Sequence, residues 1–208
     1  LINLISLTCP KRKDISCGWA GKRDIFTIAR EGQALLYELN GDKPSLGEGV
    51  FIAPNAVLVG RVRVEAEASI WFSCVARGDI NDIVIGKQSN IQDGCLMHVT
   101  NHHALTVGER VTVGHGAILH GCEIESDCLI AMGAIVLDGA RVGAHSVVAA
   151  GCLVSPGTQI PPGSLVMGVP GKVLRQVNER DREMIEKGWQ NYVGYRQTFL
   201  QGMRELTY

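Results

Sequence analysis

The chain has 208 residues, a length suited to one domain with a sizeable buried core. Aromatic residues make up only 5% of it, whereas glycine is abundant. That balance is foreign to sandwiches and compact α/β domains, whose cores lean on Phe, Tyr and Trp. A formal net charge of −1 with scattered basic residues leaves no electrostatic footprint for nucleic acid, and no apolar run nears the ~20 residues of a membrane span.

In chain order, residues 1–34 form an N-terminal extension without assignable structure. The apolar stretch Leu1 to Leu7 lacks a basic region before it, which argues against a secretory signal. The start at Leu1 rather than Met points to an upstream extension or a misplaced start. Residues 35–51 lead into a repeat. Ile52, Leu58, Val64, Ile70 and Ala76 recur every six residues; Ile85, Ile91 and Met97 resume after three extra residues; Val107, Val113 and Leu119 follow after four more. With one residue missing, the beat then runs unbroken through Ile124, Ile130, Val136, Val142, Val148, Val154, Ile160 and Val166. Neither a helix nor a simple strand has a period of six.

Six fits a solenoid in which each hexapeptide forms one flat side of a triangular coil, about 18 residues per turn. The aliphatic points inward, and the fourth residue after it must be small where the corner is tight. That slot reads Cys74, Cys95, Cys128, Ala134, Ala140, Ser146, Cys152 and Ser164. Glycines directly after the aliphatic (Gly86, Gly108, Gly114, Gly143) are expected where the backbone turns. The fold class is therefore mainly β: a single-stranded left-handed parallel β-helix of hexapeptide repeats over residues 35–170. Seven cysteines, an odd number with no CxxC pair and four of them in the corner slot, are read as reduced thiols of a cytoplasmic protein. From residue 171 to 208 the pattern (Val173, Leu174, Val177, Met184, Ile185, Trp189) predicts an amphipathic helix packed on the prism, with Tyr192, Tyr195 and Phe199 extending its apolar side.

The histidines fall into register on this frame. His98 and His120 each follow an inward residue and lie 22 residues apart, one 18-residue coil plus the four-residue insertion. Arg77 is one coil and the three-residue insertion below His98. These three make one column, and imidazoles stacked 4.7–4.9 Å apart can reach one cation. His115 lies on the preceding side of the triangle, one coil above Asp93. In a three-fold assembly of parallel prisms, His115 of one chain would meet His98 and His120 of the next, with an Arg77–Asp93 pair beneath. Three imidazoles with an open position are the donor set of catalytic zinc. His145 is expected at the surface, and His102 and His103 in the four-residue insertion beside the site, where they are candidates for proton transfer.

The run Arg77-Gly78-Asp79, Asn90-Ile91-Gln92-Asp93-Gly94, His98, and Gly114-His115 through His120-Gly121-Cys122 resembles the gamma-class carbonic anhydrase family over roughly residues 38–200. The resemblance implies a homotrimer with metal at each subunit interface, bound by His98 and His120 of one chain and His115 of the next. Zinc is the usual metal, with Fe2+ or Co2+ possible, since imidazole discriminates weakly among them. It further implies that Arg77 and Asp79 support the interface and site, that Gln92 and Asp93 orient solvent or ligands, and that Asn191 and Tyr192 approach from the C-terminal segment. The implied reaction is reversible hydration of carbon dioxide to bicarbonate. One departure from the family prototype is the lack of acidic residues beside the metal: Ile80 follows Asp79, and Val99 to Thr106 holds no carboxylate. His102 or His103 is the candidate substitute for them. Two rival readings stand. One is an acyltransferase using a coenzyme A thioester, since Gly168-Val169-Pro170-Gly171-Lys172-Val173 resembles the end of such β-helices. The other is a catalytically weak, metal-binding trimeric scaffold.

Overall fold

The computed structural model of the protein describes residues 34–206, so the N-terminal extension lies, but for Ala34, outside the described residues. The expected fold class is the one found: a parallel β-solenoid of about seven turns followed by one helix. Each coil stacks on the next in the register of the hexapeptide beat, as in the column Ile91, Val113, Ile130, Val148 and Val166. Every aliphatic of the beat from Leu58 to Val166 is buried; Ile52, near the open first turn, is partly exposed. Each such side chain withdrawn from water contributes about 1.5–3 kcal/mol, and together they form a continuous core along the axis. The corner residues Cys74, Cys95, Ala134, Cys128 and Cys152 are buried beside them. Burial pushes the Cys122 and Cys128 thiols up to about 12, which leaves them inert apolar filler.

The corners turn in an unexpected place. The third residue after the aliphatic takes the left-handed conformation, with φ between +54° and +73° at Glu67, Gln88, Gly94, Arg110, Gly116 and Gly151. The glycines directly after the aliphatics serve another purpose. A Cβ on Gly86 would lie 2.3 Å from Gly108 O, and one on Gly114 would lie 2.6 Å from Met132 N. They let one coil lie close on the next. Gly86→Ala is accordingly expected to cost ~3 kcal/mol through overpacking, against ~1 kcal/mol for Gly151→Ala, where only the backbone conformation objects. Urea unfolding of the two variants checks the order.

The three sides differ in what they present outward. One carries Arg63, Val84, Thr106, Glu123, Arg141 and Gln159, mostly polar. A second is roofed by the helix Glu179–Gly202 (α1), which packs on Leu129, Val147 and Leu165 through Ile185, beside Val177 of the segment before it. At its far end, Tyr192 and Phe199 close around Trp71, with ring centroids 5.1 and 4.9 Å apart. The third side stacks Val57, Val75, Leu96, Ile118, Ile135 and Leu153 as an outward apolar ladder that no element among the described residues covers.

The C-terminal segment departs from expectation at its start. Residues Lys172–Gln176 form a strand, antiparallel to Ser164–Met167, and the helix begins only at Glu179. There Asn178 and Asp181 form a capping box: the Asn178 side chain accepts from Asp181 N at 3.1 Å, and the Asp181 carboxylate accepts from Asn178 N at 2.8 Å. Tyr195 is exposed rather than part of the buried face. Among the described residues no helix is long and apolar enough to cross a membrane.

Candidate metal centre

The column of Arg77, His98 and His120 is built as counted. Arg77 pairs with His98, and His98 with His120, across the strands Val75–Ile85, Leu96–His98 and Ile118–His120. Each follows an inward residue, so strand alternation turns its side chain outward onto the apolar ladder. From the corner just past the column comes a residue the sequence reading missed. Asp138, 18 residues beyond His120, contacts His120 Nδ1. At the lower end, Asp79 Oδ1 meets His98 Nε2 at 3.0 Å, and Arg77 pairs with Asp79 within the same chain. Partial burial alone would raise the Asp79 carboxyl, but hydrogen bonds from His98 and Arg77 outweigh it and hold the group below the usual carboxylate range.

Between the two carboxylates, His98 Nδ1 and His120 Nε2 face each other at 3.0 Å. A carboxylate only accepts hydrogen bonds, so each ring places its proton on the nitrogen that meets one: Nε2 of His98, Nδ1 of His120. With both rings neutral, the two facing nitrogens are bare lone pairs. Two acceptors at this distance repel unless a cation lies between them. Nitrogens bound to tetrahedral zinc sit about 3.3 Å apart. The pair therefore fits a divalent cation with little movement, and carboxylates behind the rings are the usual support of such ligands.

His115 stands apart on the corner after Gly114, with Nδ1 3.0 Å from Asp93 Oδ2. Among the described residues its other nitrogen meets no partner, and its side chain is 49% exposed. Among the described residues, no three His, Cys, Asp or Glu side chains of one chain are placed to hold a metal ion. The chain thus brings together two of the three predicted ligands and presents the third elsewhere. Within the single chain Arg77 is bound to Asp79, and Asp93 holds His115.

The remaining candidates lie around this centre. Gln92 is 7% exposed, and its amide nitrogen donates to Asn90 Oδ1 at 3.1 Å; Asn90 in turn donates to Thr112 Oγ1. Tyr192 is pushed up to about 12 by burial, with the charge of nearby Asp93 adding to the effect. Asn191 is exposed. His102 and His103 occupy a tight exposed turn in which both amides donate to Thr100 Oγ1. The His103 ring lies against the corner glycines: a Cβ on Gly139 would meet its Cε1 at 3.1 Å. His145 is exposed, as expected. Beside the paired imidazoles, Val75, Leu96, Met97, Ile118 and Leu119 line a groove of about 360 Å³.

A family model described as bacterial transferase hexapeptide (six repeats) matches residues 121–156. The probable carbonic anhydrase of Methanocaldococcus jannaschii is 48% identical over 153 residues, which cover 74% of this chain and 96% of that protein. The mitochondrial gamma carbonic anhydrase 3 of Arabidopsis thaliana is 53% identical over 145 residues, 67% of this chain and 56% of that longer protein. Among solved structures, one titled as a putative acetyltransferase from Bacillus cereus superposes with a TM-score of 0.81 at 40% identity, covering 82% of this chain and 99% of the other. The identities to named carbonic anhydrases extend across the solenoid that carries the imidazole column, and on them the chain belongs to the gamma carbonic anhydrase family of hexapeptide-repeat proteins.

Proposed function

We propose that the chain forms a homotrimer that hydrates carbon dioxide to bicarbonate at metal centres shared between protomers, with His98 and His120 of one chain and His115 of the next as ligands. Zinc is the first choice of metal, and Fe2+ or Co2+ suit the same imidazoles. The observation that carries the reading is the pair of acceptor nitrogens at 3.0 Å, each ring held from behind by a carboxylate. The uncovered apolar ladder around this pair supports the trimer, because a contiguous apolar face on a chain of this size calls for a partner. Five buried free cysteines suit a reducing compartment, read as the cytoplasm.

A divalent cation held there supplies the Lewis acidity that brings ionisation of a water close to neutral pH. The chain's own groups do the rest. Asp79, Asp93 and Asp138 fix the three rings, and Arg77 holds Asp79. Gln92, anchored through Asn90 and Thr112, orients solvent or ligands together with Asp93. The groove of Val75, Leu96 and Ile118 receives the uncharged substrate, and Asn191 and Tyr192 flank the site from α1. His102 and His103 move the released proton to buffer in place of the absent loop acids. Replacing both by Ala is expected to lower turnover about 10-fold at low buffer and to leave it nearly unchanged at high buffer. Unchanged kinetics at every buffer concentration would remove them from the pathway.

The decisive experiment is elemental analysis of anaerobically purified protein paired with a hydration assay on the same sample. One metal ion per chain with turnover supports the proposal; metal without turnover favours the scaffold reading. The Bacillus cereus neighbour, described as a putative acetyltransferase, favours an acyltransferase instead. Such an enzyme needs one general-base histidine and a groove for the thiol cofactor, and the paired imidazoles would be idle in it. Acetyl-coenzyme A binding by metal-free protein would decide for that reading.

A further inference from the structure

We propose that Asp138 is a positioning residue of the metal centre: it fixes the His120 tautomer so that Nε2, rather than Nδ1, offers its lone pair. The inference rests on the proposed function above for its role, but its physical core concerns the ring alone. Asp138 lies on the coil above His120, one residue past the strand register in which Leu119 pairs with Val136, and its carboxylate contacts His120 Nδ1.

An Asp before a Gly at a corner has an ordinary explanation, since Asp-Gly is a common turn pair. Here the turn itself is accounted for by Gly139, with φ +66°, and by the backbone bond from Gly139 N to Gly121 O at 2.7 Å. The Asp138 side chain bonds none of its own turn's backbone; its hydrogen-bond partner is the imidazole. The side chain is 38% exposed, so its removal leaves no cavity in the core.

The chemistry is one-directional. Without an acceptor at Nδ1, neutral imidazole is free to carry its proton on either nitrogen, and the Nε2–H form would aim a donor at His98 Nδ1. That donor satisfies the His98 lone pair directly and closes the gap a cation would otherwise fill. Asp138 prevents this bond from forming. It also adds negative charge behind the ring, which strengthens the attraction of the nitrogen in front for a cation. Asn at 138 retains an oxygen that accepts from Nδ1–H, so it keeps the tautomer but loses the charge.

The test uses the full chain and reads two quantities. The first is the His120 tautomer in metal-free protein, from 15N chemical shifts of the imidazole. The second is affinity for zinc, from competition with a chromophoric chelator. Wild type is expected to show His120 protonated at Nδ1. Asp138→Ala should shift the population toward Nε2–H and weaken zinc binding 10- to 100-fold. Asp138→Asn should keep the wild-type tautomer and recover part of the affinity. A merely structural role would lower thermal stability without moving the tautomer. If Asp138→Ala leaves the His120 shifts as in wild type, the inference is overturned, whatever the metal affinity. If the tautomer moves as expected but wild type binds no metal, the positioning contact stands and the proposed function is what fails.

Discussion

His115→Ala abolishes metal loading as completely as His98→Ala, although the two side chains lie on different parts of the protomer. Within one chain only His98 and His120 converge, and His115 is turned outward on its corner beside Asp93. If a neighbouring protomer supplies the third imidazole, each centre loses one of three ligands in either variant. Affinity should then fall by more than the roughly 10- to 100-fold that outer-sphere partners cost. Bound zinc measured after gel filtration checks it. Retention of full metal by His115→Ala would confine the centre to one chain and end the shared-site reading. Mixing the two variants adds a further check, since a trimer with one His115→Ala and two His98→Ala chains can still assemble an intact centre.

A carboxylate placed on the apolar ladder should dissociate the assembly and empty the centres together. Leu96 is 46% exposed in the single chain and stacks between Val75 and Ile118, next to the paired imidazoles. Leu96→Glu leaves the inward core untouched, so the protomer stays folded. In the trimer it buries an unpaired charge at a cost of several kcal/mol per interface, enough to raise the dissociation constant more than about 100-fold. Val84→Glu, on the polar side of the prism, is the matched control and should remain trimeric. Sedimentation of both variants, with metal content measured on the same fractions, separates the outcomes. A trimeric, metal-loaded Leu96→Glu would place the interface on another side.

The beat of six carried most of this structure because it reports two things at once: which side chains point inward, and which residues stand above one another. His98 above Arg77, and His120 above His98, followed from adding loop insertions to an 18-residue coil, and the strand register agrees. Asp138 was not legible by the same sum: the coil past His120 is one residue short, so the sum gives Leu137, and Asp138 reaches the ring from the next position, at the corner. Other features had no such signal. Val173, Leu174 and Val177 carry a spacing that a helix or an irregular strand shares, and the chain reversal between Gly168 and Gly171 decides for the strand. The purpose of Gly86 and Gly114 was equally hidden, because a glycine needed for close approach looks like one needed for a turn. The pairing of Arg77 with Asp79 inside one chain depends on side-chain reach, about which periodicity is silent.

The antiparallel strand Lys172–Gln176 bears on how long such a rod can grow. A coil of parallel strands displays, at its final rung, a template onto which another copy could add in the same direction and lengthen the prism into a fibre. On the side under the helix, the chain spends its own last strand on that template and runs it backward. The edge then offered is reversed in polarity and carries Lys172 and Arg175, and like charges discourage a second edge from annealing to it. Axial addition on this side is thereby disfavoured relative to lateral association through the ladder side.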